Sequence, residues 1–279
     1  MAGFPYARVL LATEHSVYDG GAESLALALA RRHALALAMV LPVRGNPEFE
    51  VEAPGLSARL DAGVALERQS LEASARAQGV ACEVAVRHGV DPAAEIVGEA
   101  LARGSDLIVI RRRGQRGLLA SLLMGEMVSQ VVAHAPCDVL IVPRGAPLWS
   151  RGVLVGVDPD GGARAAVRTA AELASACGLP LHLLMAVERD GERERGLTEM
   201  QAALDLARAV TADVHADVQE GPAPQLLPAA TRRLGTDLLV LARQGAAATR
   251  PTRVGATTHR VIGGAECPVL ICSSKARSP

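Results

Sequence analysis

A chain of 279 residues, 49% apolar and 21% charged, can bury two cores and is too ordered a mixture for a disordered protein. The formal charge of -1 supplies no global field toward nucleic acid or anionic lipid, and aromatics at 2% leave few stacking platforms for single strands. Neither nucleic acid nor membrane is expected as a partner.

The N-terminus MAGFPYARVLLATE lacks the basic start and long apolar core of a signal peptide, and Arg31-Arg32-His33 interrupts the most apolar stretch. Five cysteines without a CxxC pair read as reduced core thiols, and the expected localisation is cytoplasmic. The seven histidines show no HxxxH or HExxH spacing, so no metal site is expected.

In chain order, an apolar run Val9–Thr13 ends at Glu14 and reads as a strand. A helix through AESLALALARR and a strand LALAMVL follow. The insert PVRGNPEFEVEAPGLSARL reads as a surface loop in preference to a lid. Then come a helix LDAGVALERQSLEASARAQ, a strand ACEVAVRHG, a helix PAAEIVGEALARG, a strand SDLIVI, a short helix and the strand CDVLIV.

RGAPLWSR, residues 144–151, carries linker composition. The second half repeats the order. VLVGV precedes Asp158; helices lie in ARAAVRTAAELASA, GLTEMQAALDLARAV and PQLLPAATRRLG, and strands in LHLLMAV, ADVHADVQEG, TDLLVLA and CPVLIC.

A shift of 144 residues superposes Glu14 on Asp158, and a shift of about 130 superposes GEMVSQVVAHAPCDVLI on GATTHRVIGGAECPVLI, so the chain is an internal repeat. Continuous Val, Leu and Ile runs alternating with helices predict parallel strands buried on both faces. The fold class is therefore α/β: two tandem doubly wound domains, residues 1–145 and 146–279. Each is a roughly five-stranded parallel sheet flanked by helices.

Open parallel sheets bind ligands beyond the carboxyl ends of their strands, where the strand order reverses. In the second half those ends are Asp158, Ala186 and the run Ala242-Arg243-Gln244-Gly245; Gly255-Ala256-Thr257-Thr258 then opens the last helix. Glycine and hydroxyls at a helix start suit a phosphate, which needs free N–H groups and the positive end of the helix dipole. Asp158 and the threonines could equally be helix caps.

These residues resemble the tandem-type universal stress proteins. Nucleotide-binding members of that family carry G-x-x-G-x9-G-[ST]-x-[ST] between the fourth strand and the last helix, with an Asp ending the first strand. In the second half Ala242 stands at the first glycine, Gly245 and Gly255 match with their spacing intact, Ala256 replaces one hydroxyl and Thr258 keeps the other. The resemblance implies an adenine nucleotide, ATP or a relative, with or without Mg²⁺. Asp158 would face its adenine or ribose, Ala186 its base, and the residues from Gln244 and Gly245 to Thr257 and Thr258 its phosphates.

In the first half Glu14 keeps a carboxylate, Arg111 takes the first glycine position, and Gly114 and Gly125 lie one residue further apart. Glu126 and Val128 replace both hydroxyls. A carboxylate against a phosphate costs a few kcal/mol at an effective dielectric of about 20. Arg111, Arg112, Arg113 and Arg116 could neutralise a phosphate or pair with Glu126 and close the site, and closure is expected. The resemblance also implies a pseudo-dimer within one chain and leaves further homodimerisation open, as it does protein partners.

A stress-response regulatory or protective role follows, with any ATP hydrolysis slow and incidental. Two alternatives stand beside it: an interaction module of the same fold that binds no nucleotide, and a hydrolase of the related adenine-nucleotide superfamily. The latter would need an added catalytic domain or a pyrophosphate-binding serine loop, and neither is read in the sequence; nor does a G-x-S-x-G elbow or a P-loop mark nucleophilic or P-loop chemistry.

Overall fold

The computed structural model describes residues 3–45, 54–112, 125–188, 190–243 and 254–273. The first half runs β1 (Arg8–Ala12), α1 (Gly20–His33), β2 (Ala36–Arg44), α2 (Pro54–Ala77), β3 (Cys82–Gly89), α3 (Pro92–Arg103), β4 (Leu107–Arg111), α4 (Glu126–His134) and β5 (Asp138–Val142). The second runs β6 (Val153–Val157), α5 (Arg164–Cys177), β7 (Leu181–Val187), α6 (Asp190–Arg208), β8 (Val214–Glu220), α7 (Ala223–Leu234), β9 (Leu238–Ala242), α8 (Ala256–Gly264) and β10 (Val269–Cys272).

Local chemistry sets these boundaries. At α3, Asp91 caps the Ala93 amide, Pro92 supplies the pre-set φ of the first turn, and Gly104 ends the helix in the left-handed region at φ 58°. β5 and β10 are buried along their whole length, as strands covered on both faces must be. The helix expected from residue 60 instead begins at Pro54, so the end of the predicted loop belongs to α2. Val43 and Arg44 complete β2, and residues 46–53 of the insert lie outside the described residues.

Each half has the strand order 3-2-1-4-5, and the halves join into one ten-stranded sheet, β3-β2-β1-β4-β5-β10-β9-β6-β7-β8. Every neighbouring pair is parallel except β5 with β10, which run antiparallel with Leu140 opposite Leu270 and Val139 opposite Ile271. The repeated Val-Leu-Ile phrase thus pairs with itself about a pseudo-two-fold axis. Helices cover both faces, and each core crosses the seam. Leu11, Leu25, Met39 and Leu140 pack in one cluster with Val155, Leu173, Met185 and Leu270. Leu10, Ile96, Val131 and Ile141 share the other with Leu154, Leu239, Ile262 and Ile271.

The linker is pinned to the fold. Trp149 is 2% exposed, and the amides of Ser150, Arg151 and Gly152 donate to the Asp237 carboxylate at 2.8, 3.0 and 3.2 Å. The first half repeats the device, with Ala7 and Arg8 amides on Asp106. Both carboxylates stand just before the fourth strand of their half and tie it to the start of the first.

At one outer edge β7 sets His182 opposite His215 of β8, with ring centroids 4.9 Å apart. Burial first, and then the charge of His215, hold the His182 imidazole below its ordinary value, while Asp213 acts in the opposite direction. The unfolded chain therefore takes up this proton at a higher pH than the native one. That contribution to stability is full above about pH 6.5 and is lost as pH falls through the lower native value. Between pH 7 and 5 the urea midpoint of a His182→Leu variant is expected to fall less than that of the unaltered protein.

Candidate nucleotide site and its first-half counterpart

Both candidate sites lie where the strand order reverses, between β1 and β4 and between β6 and β9. In the second half Asp158 follows β6 and is half-buried. Its Oδ1 accepts the Asp160 amide at 3.0 Å and its carbonyl accepts the Gly161 amide at 3.1 Å, a turn completed by Gly161 at φ 89°. Asp158 thus shapes the turn into α5. Ala186 lies next to last in β7, and Ala242 ends β9.

Gly255 is the N-cap of α8, and no side chain caps the helix. The first helical bond is His259 N–H to the Gly255 carbonyl at 2.9 Å, so the amides of Ala256, Thr257 and Thr258 have no partner within the helix. Two long contacts hold the turn to the end of β9: Gly255 N–H to the Arg243 carbonyl at 3.5 Å, and Thr258 Oγ1 to the Ala242 carbonyl at 3.4 Å.

Among the described residues nothing requires glycine at 255. Its φ and ψ of -58° and 141° suit any residue, and among the described residues an added Cβ would meet only Thr258 Oγ1 at 3.6 Å. Ala256 and Thr257 are exposed beside it. The sheet therefore brings Asp158, Ala242, Gly255 and Thr258 to one side of the molecule, while Gln244 and Gly245 lie outside the described residues.

The first half keeps the turn and changes its chemistry. Gly125 caps α4 with φ -53° and ψ 145°, close to Gly255, but Val128 is fully buried where Thr258 has a hydroxyl. Arg111, at the end of β4, does not pair with Glu126 as expected. Its Nη2 donates to Glu14 at 2.5 Å and its Nε lies 2.9 Å from Asp19, which is 1% exposed. β1 and β4 are adjacent, and that adjacency puts Glu14 nearer to Arg111 than the exposed Glu126.

With Arg111 drawn aside, the site is not closed among the described residues. A cavity of about 710 Å³ opens there between Leu41, Val43, Val90 and Met127, with Glu14, Glu67, Asp91 and Glu126 on its wall and Arg44 as the described lining cation. Gly114, like Arg113 and Arg116, lies outside the described residues.

One pair of functional candidates was missed from sequence. The residue after each fourth strand is an arginine, and each reaches into the opposite half. Arg243 donates through Nη1 to the Ala135 carbonyl at 3.0 Å and through Nη2 to the Cys137 carbonyl at 2.9 Å, past the C-terminus of α4. Arg112 donates through Nη1 to the Ile262 carbonyl at 3.0 Å and to the Ala265 carbonyl, at the C-terminus of α8. A cation there satisfies end carbonyls and complements the helix dipole.

Burial lowers the pKa of both guanidiniums, and burial also pushes the thiols of Cys137 and Cys267 up to about 12 and about 11. The signal available in sequence was the shared offset of Arg112 and Arg243 after DLIVI and DLLVL.

Two doubly wound repeats joined through their last strands, each with a glycine turn opening its final helix, define a tandem α/β protein. The sequence pattern of the universal stress protein family matches residues 5–143 and again 150–273, and the chain belongs to that family.

A universal stress protein of Thermus aquaticus, encoded in the QAH/OAS sulfhydrylase 3' region, is 36% identical over 143 residues, covering 49% of this chain and 98% of that protein. Universal stress protein Sll1388 of Synechocystis is 40% identical over 74 residues, 26% of this chain and 47% of its own length, so the match spans about half of that relative. A universal stress protein structure from Archaeoglobus fulgidus shares the fold over 97% of both chains, with a TM-score of 0.72 at 19% identity. No helix among the described residues is long and apolar enough to cross a membrane.

Proposed function

We propose that the protein is a cytoplasmic stress-response regulator or protectant that binds an adenine nucleotide, ATP, ADP or AMP, in its second domain, with residues 1–145 and 146–279 as the two units. The observation that carries this reading is Gly255: a glycine that, among the described residues, neither backbone conformation nor packing requires, at a helix start whose first amides have no partner within the helix. Close approach of a phosphate is a reason for glycine there.

Gly255 and the amides of Ala256, Thr257 and Thr258 would take the phosphates, Gln244 and Gly245 would complete the cradle, and Asp158 and Ala186 would meet the nucleoside. Mg²⁺, if present, would ride on the phosphates. In the first domain Glu14, Glu67, Asp91 and Glu126 oppose a polyanion, which favours single occupancy.

Titration calorimetry with ATP and ADP tests the assignment. Gly255→Glu sets a carboxylate against the phosphates and is expected to weaken binding about a hundredfold, roughly 2.7 kcal/mol. Undiminished affinity in that variant sinks the site.

The second reading, an interaction module without nucleotide, draws on Ala242 and Ala256 at two motif positions. Saturating ATP at a hundred times its dissociation constant should stabilise a binding protein by about 2.7 kcal/mol, and a flat response favours the module. Sustained turnover of ATP would instead favour an enzyme.

A further inference from the structure

We propose that Arg243 transmits the state of the second domain's ligand turn to the first domain's last helix, so that the two sites are coupled across the seam. The trigger rests on the nucleotide reading above, and the transmission rests on geometry alone.

One residue faces both ways. The Arg243 carbonyl lies 3.5 Å from the Gly255 amide, and the Arg243 side chain holds the Ala135 and Cys137 carbonyls beyond α4. The Arg243 amide donates to the Cys272 carbonyl of β10 at 2.9 Å, which anchors the residue at the seam. Gly125 caps α4, and the helix's first residues Glu126 and Met127 line the first domain's cavity. A helix is stiff along its axis, so displacement at its C-terminus is felt at its N-terminus.

The Gly255 N–H is also a donor that a bound phosphate recruits. One N–H aimed at an anion cannot also serve the Arg243 carbonyl, and its present bond is long, hence easily exchanged. Losing it frees the Arg243 main chain to shift, and the guanidinium shifts with it. Arg112 repeats the side-chain grip from the first half, holding carbonyls at the C-terminus of α8, whose N-terminus is the ligand turn.

The test needs no ligand. Gly255→Pro deletes the N–H at a residue whose φ of -58° already suits proline. Native-state hydrogen exchange on the full chain is read at the amides of Val131 to Ala135, in the other domain. Exchange there is expected to accelerate about threefold in Gly255→Pro, the size of a weakened helix-end contact. The same substitution in an Arg243→Gln background is expected to add nothing.

Unchanged exchange at Val131 to Ala135 with Arg243 intact overturns the proposal, as does an acceleration that persists without it. Thr258→Val, which removes only the hydroxyl contact to the Ala242 carbonyl, gives the same comparison if the proline variant folds poorly. Failure of ATP to bind in calorimetry removes the trigger without altering this result, so the two failures are told apart.

Discussion

Replacing Asp138 by alanine is expected to destabilise the protein by about 3–5 kcal/mol, the range for breaking a buried charged network. Asp138 is 5% exposed at the start of β5 and accepts the Tyr6 hydroxyl and the Ser273 amide, each at 2.8 Å. It also lies near the half-buried Arg243, whose guanidinium its charge supports against desolvation. Alanine removes the carboxylate that accepts these two donors and the negative charge beside the Arg243 guanidinium, each a cost in its own right.

Asp138→Asn keeps an acceptor oxygen and the volume, so it should lose about half as much. Urea unfolding at constant m checks both variants. The equivalent position in the second half is Pro268, so the network exists once.

Leu140→Ala is expected to cost about 2–5 kcal/mol, the transfer and cavity terms for a leucine with no room to collapse. Leu140 is 1% exposed, pairs with Leu270 at the centre of the sheet, and belongs to a core cluster that draws side chains from both halves. The loss should therefore lower a single cooperative calorimetric transition. Two separable transitions, with only the first shifted, would mean that the halves unfold independently.

The strands were legible because continuous Val, Leu and Ile runs carry their burial in their composition. The repeat added a second, independent copy of each assignment. Less legible were contacts fixed by strand order. Glu14 and Arg111 are 97 residues apart and meet because β1 and β4 are neighbours. Without that order, Glu126, nearer in sequence, looked the better partner.

The Asp106 and Asp237 anchors and the crossed arginines follow the same logic: each residue is visible, and its partner is set by topology. The start of α2 at Pro54 was missed because a proline-glycine pair reads as a turn, while proline also suits a first helical turn. At the candidate site, Gly255 and Thr258 fall where the motif spacing placed them. Asp158 proved to shape its own turn, accepting the Asp160 amide, and it does not cap the helix, whose N-cap is Ala163; spacing alone could not separate that turn role from ligand contact.

The antiparallel seam between β5 and β10 has a consequence for how the molecule responds to dilution. Two separate chains meeting edge to edge hold together only above their dissociation constant. Joined through residues 144–151, the two edges face each other at an effective concentration in the millimolar range, whatever the amount of protein in the cell. Tethering therefore lets the two halves diverge, since neither must remain self-complementary, and a carboxylate-lined cavity can persist on one side of the seam while the other keeps its glycine turn.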